Sequence, residues 1–471
     1  MELPRCPTPP TTFDPFFELL RSRGVSAGGV AKAVAAASDS GLLDLIDELR
    51  QALPVQYELN SPWSPYSFVA NSRLSGMYGP TNVVAHRLTA ADSLARFAVL
   101  YADTVYIQEP FSEGRFGREG RMPPNREAAV AEIEVMLALR PLLDAGIIRV
   151  ARNYFPLQPG ADGQAINDQM SRVTGLAAEA LLERFAADVR FNVTYIPKTG
   201  FRMALADGPI ELIENPSTVA GRGAIGRMGL GAPPELVAAI PKDATDLQTL
   251  KFGREHPAFE SHFRELIQPI IADLGYATVC STLYRLNYIT DRVAETYALR
   301  ESNASVDVAF NRSLFEAFSH DVPVVLGSPL RTLLKLRRTD WEAFRVYRDA
   351  LRSALRTIKE DRLANPAGVF SDVIQPELNR IDLTMKRNRR LLLKTAVRDA
   401  AFATAAVGIG LLSGFVTPGL ADAVAKLGGL KFAIDTVKNA NAALLEPEEA
   451  KSSQYFFLWK VGRALRGTTR R

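Results

Sequence analysis

The chain is poor in the residues that most often carry chemistry. Its 471 residues include two cysteines, Cys6 and Cys280, and four histidines, His86, His256, His262 and His320. Two cysteines cannot build a disulfide framework, which fits a reducing compartment. A zinc-protease helix needs H-E-x-x-H, so that two imidazoles share one face. The segment HPAFESH at 256–262 instead spaces its histidines by six, which turns His262 about a third of a turn away from His256. No thiolate is near enough to complete such a set, so neither a metal nor a cofactor is expected.

Other signatures are missing as well. There is no G-x-S-x-G turn for a serine nucleophile and no G-K-[ST] for a phosphate loop. The string Gly221-x-Gly223-x-x-Gly226 has dinucleotide-loop spacing. It follows Asn215-Pro-Ser-Thr rather than a strand and runs into Pro233-Pro234 rather than a helix. It reads as a glycine-rich loop over 219–234. A carboxylate nuclease would place acids at the carboxyl ends of parallel strands, yet of the strands expected at 104–108, 147–151 and 322–326 only the first is followed by one, Glu109. The amino-terminal residues lack a basic segment followed by an apolar one, so no secretory signal is expected.

What remains is ordinary globular material, 47% apolar and 23% charged, enough for a sizeable core. Helical periodicity recurs over 13–21, 28–37, 41–53, 89–101, 126–145, 165–187 and 257–284. Thr104–Gln108 and Ile147–Ala151 are β-branched runs on either side of the 126–145 helix. Strand, helix, strand predicts a βαβ unit with parallel pairing. Val189–Ile196 and Phe201–Ala206 predict a hairpin, and Ile210–Ile213 a third strand. Ser61–Pro80 reads as irregular. The run 322–326 predicts a further strand. From Pro329 the pattern is helical throughout, with one apolar stripe over Asp340–Glu360 and a second long helix over 369–412. These two make an αα-hairpin.

The expected fold is therefore α+β and helix-dominated. A small α/β sheet region occupies the first two thirds, and a helical C-terminal region holds the long hairpin. The expected divisions are a disordered tip at 1–12, helices with the βαβ region at 13–155, a mixed α/β region at 156–330, and a basic, apolar helical region at 331–471.

Charge is unevenly placed. The chain carries a net +4, but Arg331–Asp399 holds 17 Lys/Arg against 9 Asp/Glu, a net of +8 that leaves −4 for the rest. Arg387, Arg390, Lys394 and Arg398 fall three and four apart, one stripe on a helix, suited to phosphate or lipid headgroups. Just beyond them, 400–421 contains no charge. It includes Phe402, Leu411, Leu412 and Phe415, and it is long enough to cross a bilayer. A tail with Tyr455, Phe456 and Trp459 follows, and these aromatics suit a membrane interface or a partner.

These features predict a cytoplasmic interaction protein, peripheral to the membrane in one version, with catalysis not favoured. Its basic, apolar C-terminal region would contact a protein partner or an anionic membrane surface, with nucleic acid a weaker candidate. The alternatives are a metal-dependent nucleic-acid-processing enzyme, using acids near Glu109, and a membrane-perturbing effector.

Overall fold

A computed structural model describes residues 12–54, 64–76, 84–111, 124–151, 161–196, 201–213, 221–227, 248–301 and 330–356, together with residues 376, 453, 456, 457, 459 and 460. The chain forms two compact units, Met1–Ser319 and His320–Arg471. It is a helix-dominated α+β fold, with ten helices and eight strands in two four-stranded sheets among the described residues.

Three amphipathic helices open the first unit: α1 (Asp14–Ser22), α2 (Val30–Ala36) and α3 (Asp39–Ala52). The Ser38 hydroxyl accepts a hydrogen bond from the Gly41 amide at 3.1 Å, satisfying a free donor at the start of α3. The first sheet follows. It is built from β1 (Ser67–Ala70), β2 (Thr104–Gln108), β3 (Ile148–Ala151) and β8 (Asn287–Ile289), in the order β3-β2-β1-β8 with every pair parallel. Helix α4 (Val84–Leu100) connects β1 to β2, and α5 (Arg126–Leu143) connects β2 to β3. The expected βαβ unit is thus present as β2-α5-β3, and the sheet continues beyond β2 with β1 and then β8 on the same side.

Both faces of this sheet are covered. Phe68 points to Phe97 and Tyr101 on one side, with ring centroids 5.3 and 6.1 Å away. Val69, its neighbour, belongs to the core on the other side. That second core is built by α6 (Ala161–Phe185), α7 (Phe259–Tyr284) and α8 (Val293–Glu301).

The second sheet is antiparallel, in the order β6-β5-β4-β7. Its strands are β4 (Arg190–Ile196), β5 (Phe201–Gly208), β6 (Gly221–Arg227) and β7 (Gln248–Phe252). Phe191, Val193, Ala204, Ala206 and Phe252 alternate onto the face that meets α6 and α7. Burying each large apolar side chain here contributes roughly 1.5–3 kcal/mol.

Several expectations fail here. Ser61–Pro80 is not wholly irregular, because residues 67–70 form the central strand β1. A four-residue strand buried on both faces shows no alternation and sits among turn-forming Ser and Pro, which hides it. Residues 221–227 of the glycine-rich loop pair with β5 as strand β6. Ile210–Ile213 is a turn, closed by the Leu212 and Ile213 amides donating to the Pro209 carbonyl at 3.1 and 2.9 Å. Strands β7 and β8 had no counterpart in the sequence reading. The 322–326 run and, apart from residue 376, the 369–412 helix lie outside the described residues.

In the second unit, α9 (Leu330–Thr339) and α10 (Trp341–Arg356) meet at Asp340. The Asp340 amide donates to the Leu336 carbonyl, the last bond of α9, and the Phe344 amide donates to the Asp340 carbonyl, the first bond of α10, both at 2.9 Å, so Asp340 closes one helix and opens the next. Phe344 and Tyr347 are fully buried and pack on Phe457, with centroids 5.2 and 5.8 Å apart.

Candidate functional site

Strand β1 is followed by β2 on one side, yet β8 pairs with it on the other. The strand order therefore reverses between β1 and β8, and in open parallel sheets ligands bind beyond the carboxyl ends of the strands at such a point. Asn71 and Ser72 follow β1, Gln108 ends β2, and Thr290, Asp291 and Arg292 follow β8. Asp273 comes to the same place from α7, and Glu295 from α8.

These groups form a closed polar centre. Asp273 accepts from the Ser72 amide (3.2 Å) and hydroxyl (2.7 Å), from Gln108 Nε2 (2.8 Å) and from Arg292 Nη1 (2.8 Å). Glu295 accepts from Arg292 Nη1 (2.9 Å), Tyr288 Oη (2.7 Å), Thr290 Oγ1 (2.5 Å) and Asn71 Nδ2 (3.2 Å). Asn71, Thr290 and Glu295 are wholly buried, and Asp273 and Arg292 nearly so. On the rim, Arg73 pairs with Asp291 at 3.1 Å.

One guanidinium thus faces two buried carboxylates. Burial pushes the Glu295 carboxyl up to about 7, against the opposing pull of Arg292 and with a further push from Asp273. Burial first, then the Glu295 and Asp273 charges, raises the Tyr288 hydroxyl well above its usual range. The hydroxyls of Tyr288 and Thr290 can each reverse from donor to acceptor, so the centre can hold Glu295 in either protonation state. Asp273 is met by the Ser72 amide and hydroxyl, the Gln108 NH2 group and the Arg292 guanidinium. With its side chains saturated by one another, the centre acts as a clasp between β1, β2, β8, α7 and α8.

The acid singled out in the sequence, Glu109, is buried beside Gln108 at the end of β2. Nearby, the Phe111 amide donates to Glu132 Oε2 at 2.6 Å, and Arg87 lies 3.6 Å from Oε1 of the same carboxylate. Phe111 has φ +61°, a conformation side chains rarely adopt, and stacks on Phe16 at 6.1 Å.

His256 and His262 do structural work. His262 is buried between Phe191 and Phe252, with Nδ1 2.8 Å from the Ala258 carbonyl. His256 stacks on Phe252 at 4.5 Å, and its Nδ1 accepts from the Ala258 amide. Burial pushes the Cys280 thiol up to about 12, so this sulfur is no nucleophile at neutral pH. Among the described residues, no three His, Cys, Asp or Glu side chains group to hold a metal ion.

The second unit presents a different surface. Arg331, Lys335 and Arg338 are exposed at i, i+4 and i+7 of α9, a helix without an acidic residue. Trp341 is 37% exposed, and Arg345 follows four residues later, exposed as well. Of the tail aromatics expected to meet a membrane or partner, Phe456 and Trp459 are buried and stacked on each other at 5.7 Å. Lys460 ties this tail to Asp340 at 2.7 Å. Arg387, Arg390, Lys394, Arg398, Phe402, Leu411, Leu412, Phe415 and Tyr455 lie outside the described residues. Among the described residues, no helix is long and apolar enough to cross a membrane.

The polar centre escaped sequence reading because its members come from four separated segments and match no motif. Two signals were available. Asn71-Ser72 and Thr290-Asp291-Arg292 each follow a short apolar run directly, and Asp273 interrupts the apolar stretch Ile270–Leu274. Comparison of the chain with protein-family models, with curated proteins and with solved structures returns no match.

Proposed function

We propose that this chain is a binding protein whose second unit docks an anionic partner on the exposed face of α9. The observation that carries the reading is the stripe Arg331, Lys335 and Arg338. Three cationic side chains share one helical face, and no carboxylate pairs with them among the described residues. Cations held unpaired on a rigid element attract phosphates or carboxylates and release counterions on contact. The closed polar centre of the first unit supports a binding role too, since its side chains are spent on one another rather than presented to a substrate.

The test compares the full-length protein with the triple variant R331A/K335A/R338A for binding to heparin over a series of salt concentrations. The wild type should bind with an affinity that falls steeply with salt. The variant should bind more weakly, its log–log salt slope shallower by roughly 2–3, about 0.7–0.9 for each phosphate-like contact removed. Equal affinity and equal slope for the two proteins would refute the reading.

A further inference from the structure

The exposed stripe of α9 does not end in bare charge. Arg338 lies in the last turn of α9, and just across Asp340 Trp341 and Arg345 stand at i and i+4 on one face of α10, so an exposed tryptophan sits between arginines on either side of the junction. Trp341 is among the few large apolar side chains exposed in the described residues, at 37%. Its ring stacks on Phe344 at 5.4 Å, with the planes 30° apart, and the Arg337 guanidinium lies 5.6 Å from its centroid. The side chain is therefore held in place by packing while part of it meets solvent. Among the described residues Glu342 is the one acid paired with this group, and its contact with Arg345 is long, 3.7 Å between exposed side chains. Such a pair adds little and gives way readily to a phosphate.

A fixed, partly exposed indole flanked by cations has a specific complement. Lipid headgroups and sulfated sugars offer anions without a flat ring at the same level. Single-stranded nucleic acid offers both, phosphates along the backbone and unpaired bases that stack on aromatic side chains. A duplex keeps its bases stacked inside and can use only the charges.

We infer that the face formed by Arg331, Lys335, Arg338, Trp341 and Arg345 binds single-stranded nucleic acid, with one base stacked on Trp341 and the backbone running along the arginines and lysine. This rests on the reading of α9 as an anion-docking surface and names the occupant of that surface.

The experiment uses the full-length protein with four probes: a labelled single-stranded DNA oligonucleotide of mixed sequence, the same sequence as a duplex, heparin, and phosphatidylserine vesicles. W341A should lose about tenfold or more in affinity for the single strand, the range of one base–aromatic stack, and keep its affinity for heparin. The triple variant R331A/K335A/R338A should lose affinity for both. Because Trp341 also packs on Phe344, a second readout avoids truncation. In a W63F/W459F background Trp341 is the sole remaining tryptophan of the three, and the single strand should quench its emission while heparin should not. Heparin binding that depends on the triple stripe, with no quenching and no W341A effect on the single strand, would overturn the inference and leave the anion-docking reading standing. Vesicle binding in place of single-strand binding would do the same. Binding of no probe would overturn both.

Discussion

At Glu295, burial and Arg292 pull the carboxyl in opposite directions, and geometry decides which protonation state the fold can tolerate. Arg292 Nη1 is shared with Asp273, at 2.8 Å against 2.9 Å for Glu295, so its single charge is divided between two carboxylates. With Tyr288 and Thr290 free to turn their hydroxyls, the uncharged acid loses little, and the carboxyl rises to about 7 from an ordinary 4.5. Between those values the folded protein holds more protons than the unfolded chain. Stability contributed by this group is therefore fully present below pH 4.5 and falls as pH rises toward about 7, by on the order of 3 kcal/mol across the window. E295Q, an isostere of the neutral acid, should match wild type below pH 4.5 and exceed it above about 7. Denaturant unfolding of both proteins over this range checks it. An E295Q protein less stable than wild type above pH 7 would show that Arg292 wins and Glu295 stays charged.

Among the elements, legibility tracked how each is buried. The helix α5 and strand β2 were readable because each repeats its pattern long enough, or punctuates it sharply enough, to be seen locally. The hairpin β4–β5 was readable for the same reason. Strand β1 was not, since four residues buried on both faces carry no period, and neither was β8, three residues long. β6 was hidden by its glycines, whose pairing is set by β5 rather than by side chains. Missing β1 and β8 meant missing the strand reversal between them, and with it the polar centre. The tail aromatics show the reverse error. Tyr455, Phe456 and Trp459 read as a surface cluster, yet Phe456 and Trp459 are packed away, and Phe457 wedges against Phe344 and Tyr347. Composition reports that such a segment is apolar; only the partner reports where it goes. F457A should accordingly destabilise the second unit by about 3–5 kcal/mol, the range for emptying a buried phenylalanine site, with Trp459 emission following the transition. A change under about 1 kcal/mol would mean that the tail does not hold α10.

For the molecule as a whole, net charge and charge placement make separate predictions. A total of +4 over 471 residues is too small to drive association with a polyanion by itself. What the fold adds is segregation. The span 331–399 carries +8, and α9 fixes three of those charges on one exposed face. If that arrangement is what binds, two variants with the same net charge should behave differently. R331A/K335A/R338A and R172A/K251A/R254A each remove three exposed cations and each bring the chain from +4 to +1. The second set is taken from the first unit, from α6, β7 and the turn after β7. Screening limits each exposed charge to neighbours within about 8–10 Å at moderate salt, so a scattered loss should barely change heparin affinity, while loss of the α9 stripe should reduce it severalfold. The two variants should also separate on a cation exchanger despite equal net charge, the α9 variant eluting first. Indistinguishable elution and affinity would mean that only the total matters, and the face of α9 would then have no special claim on an anionic partner.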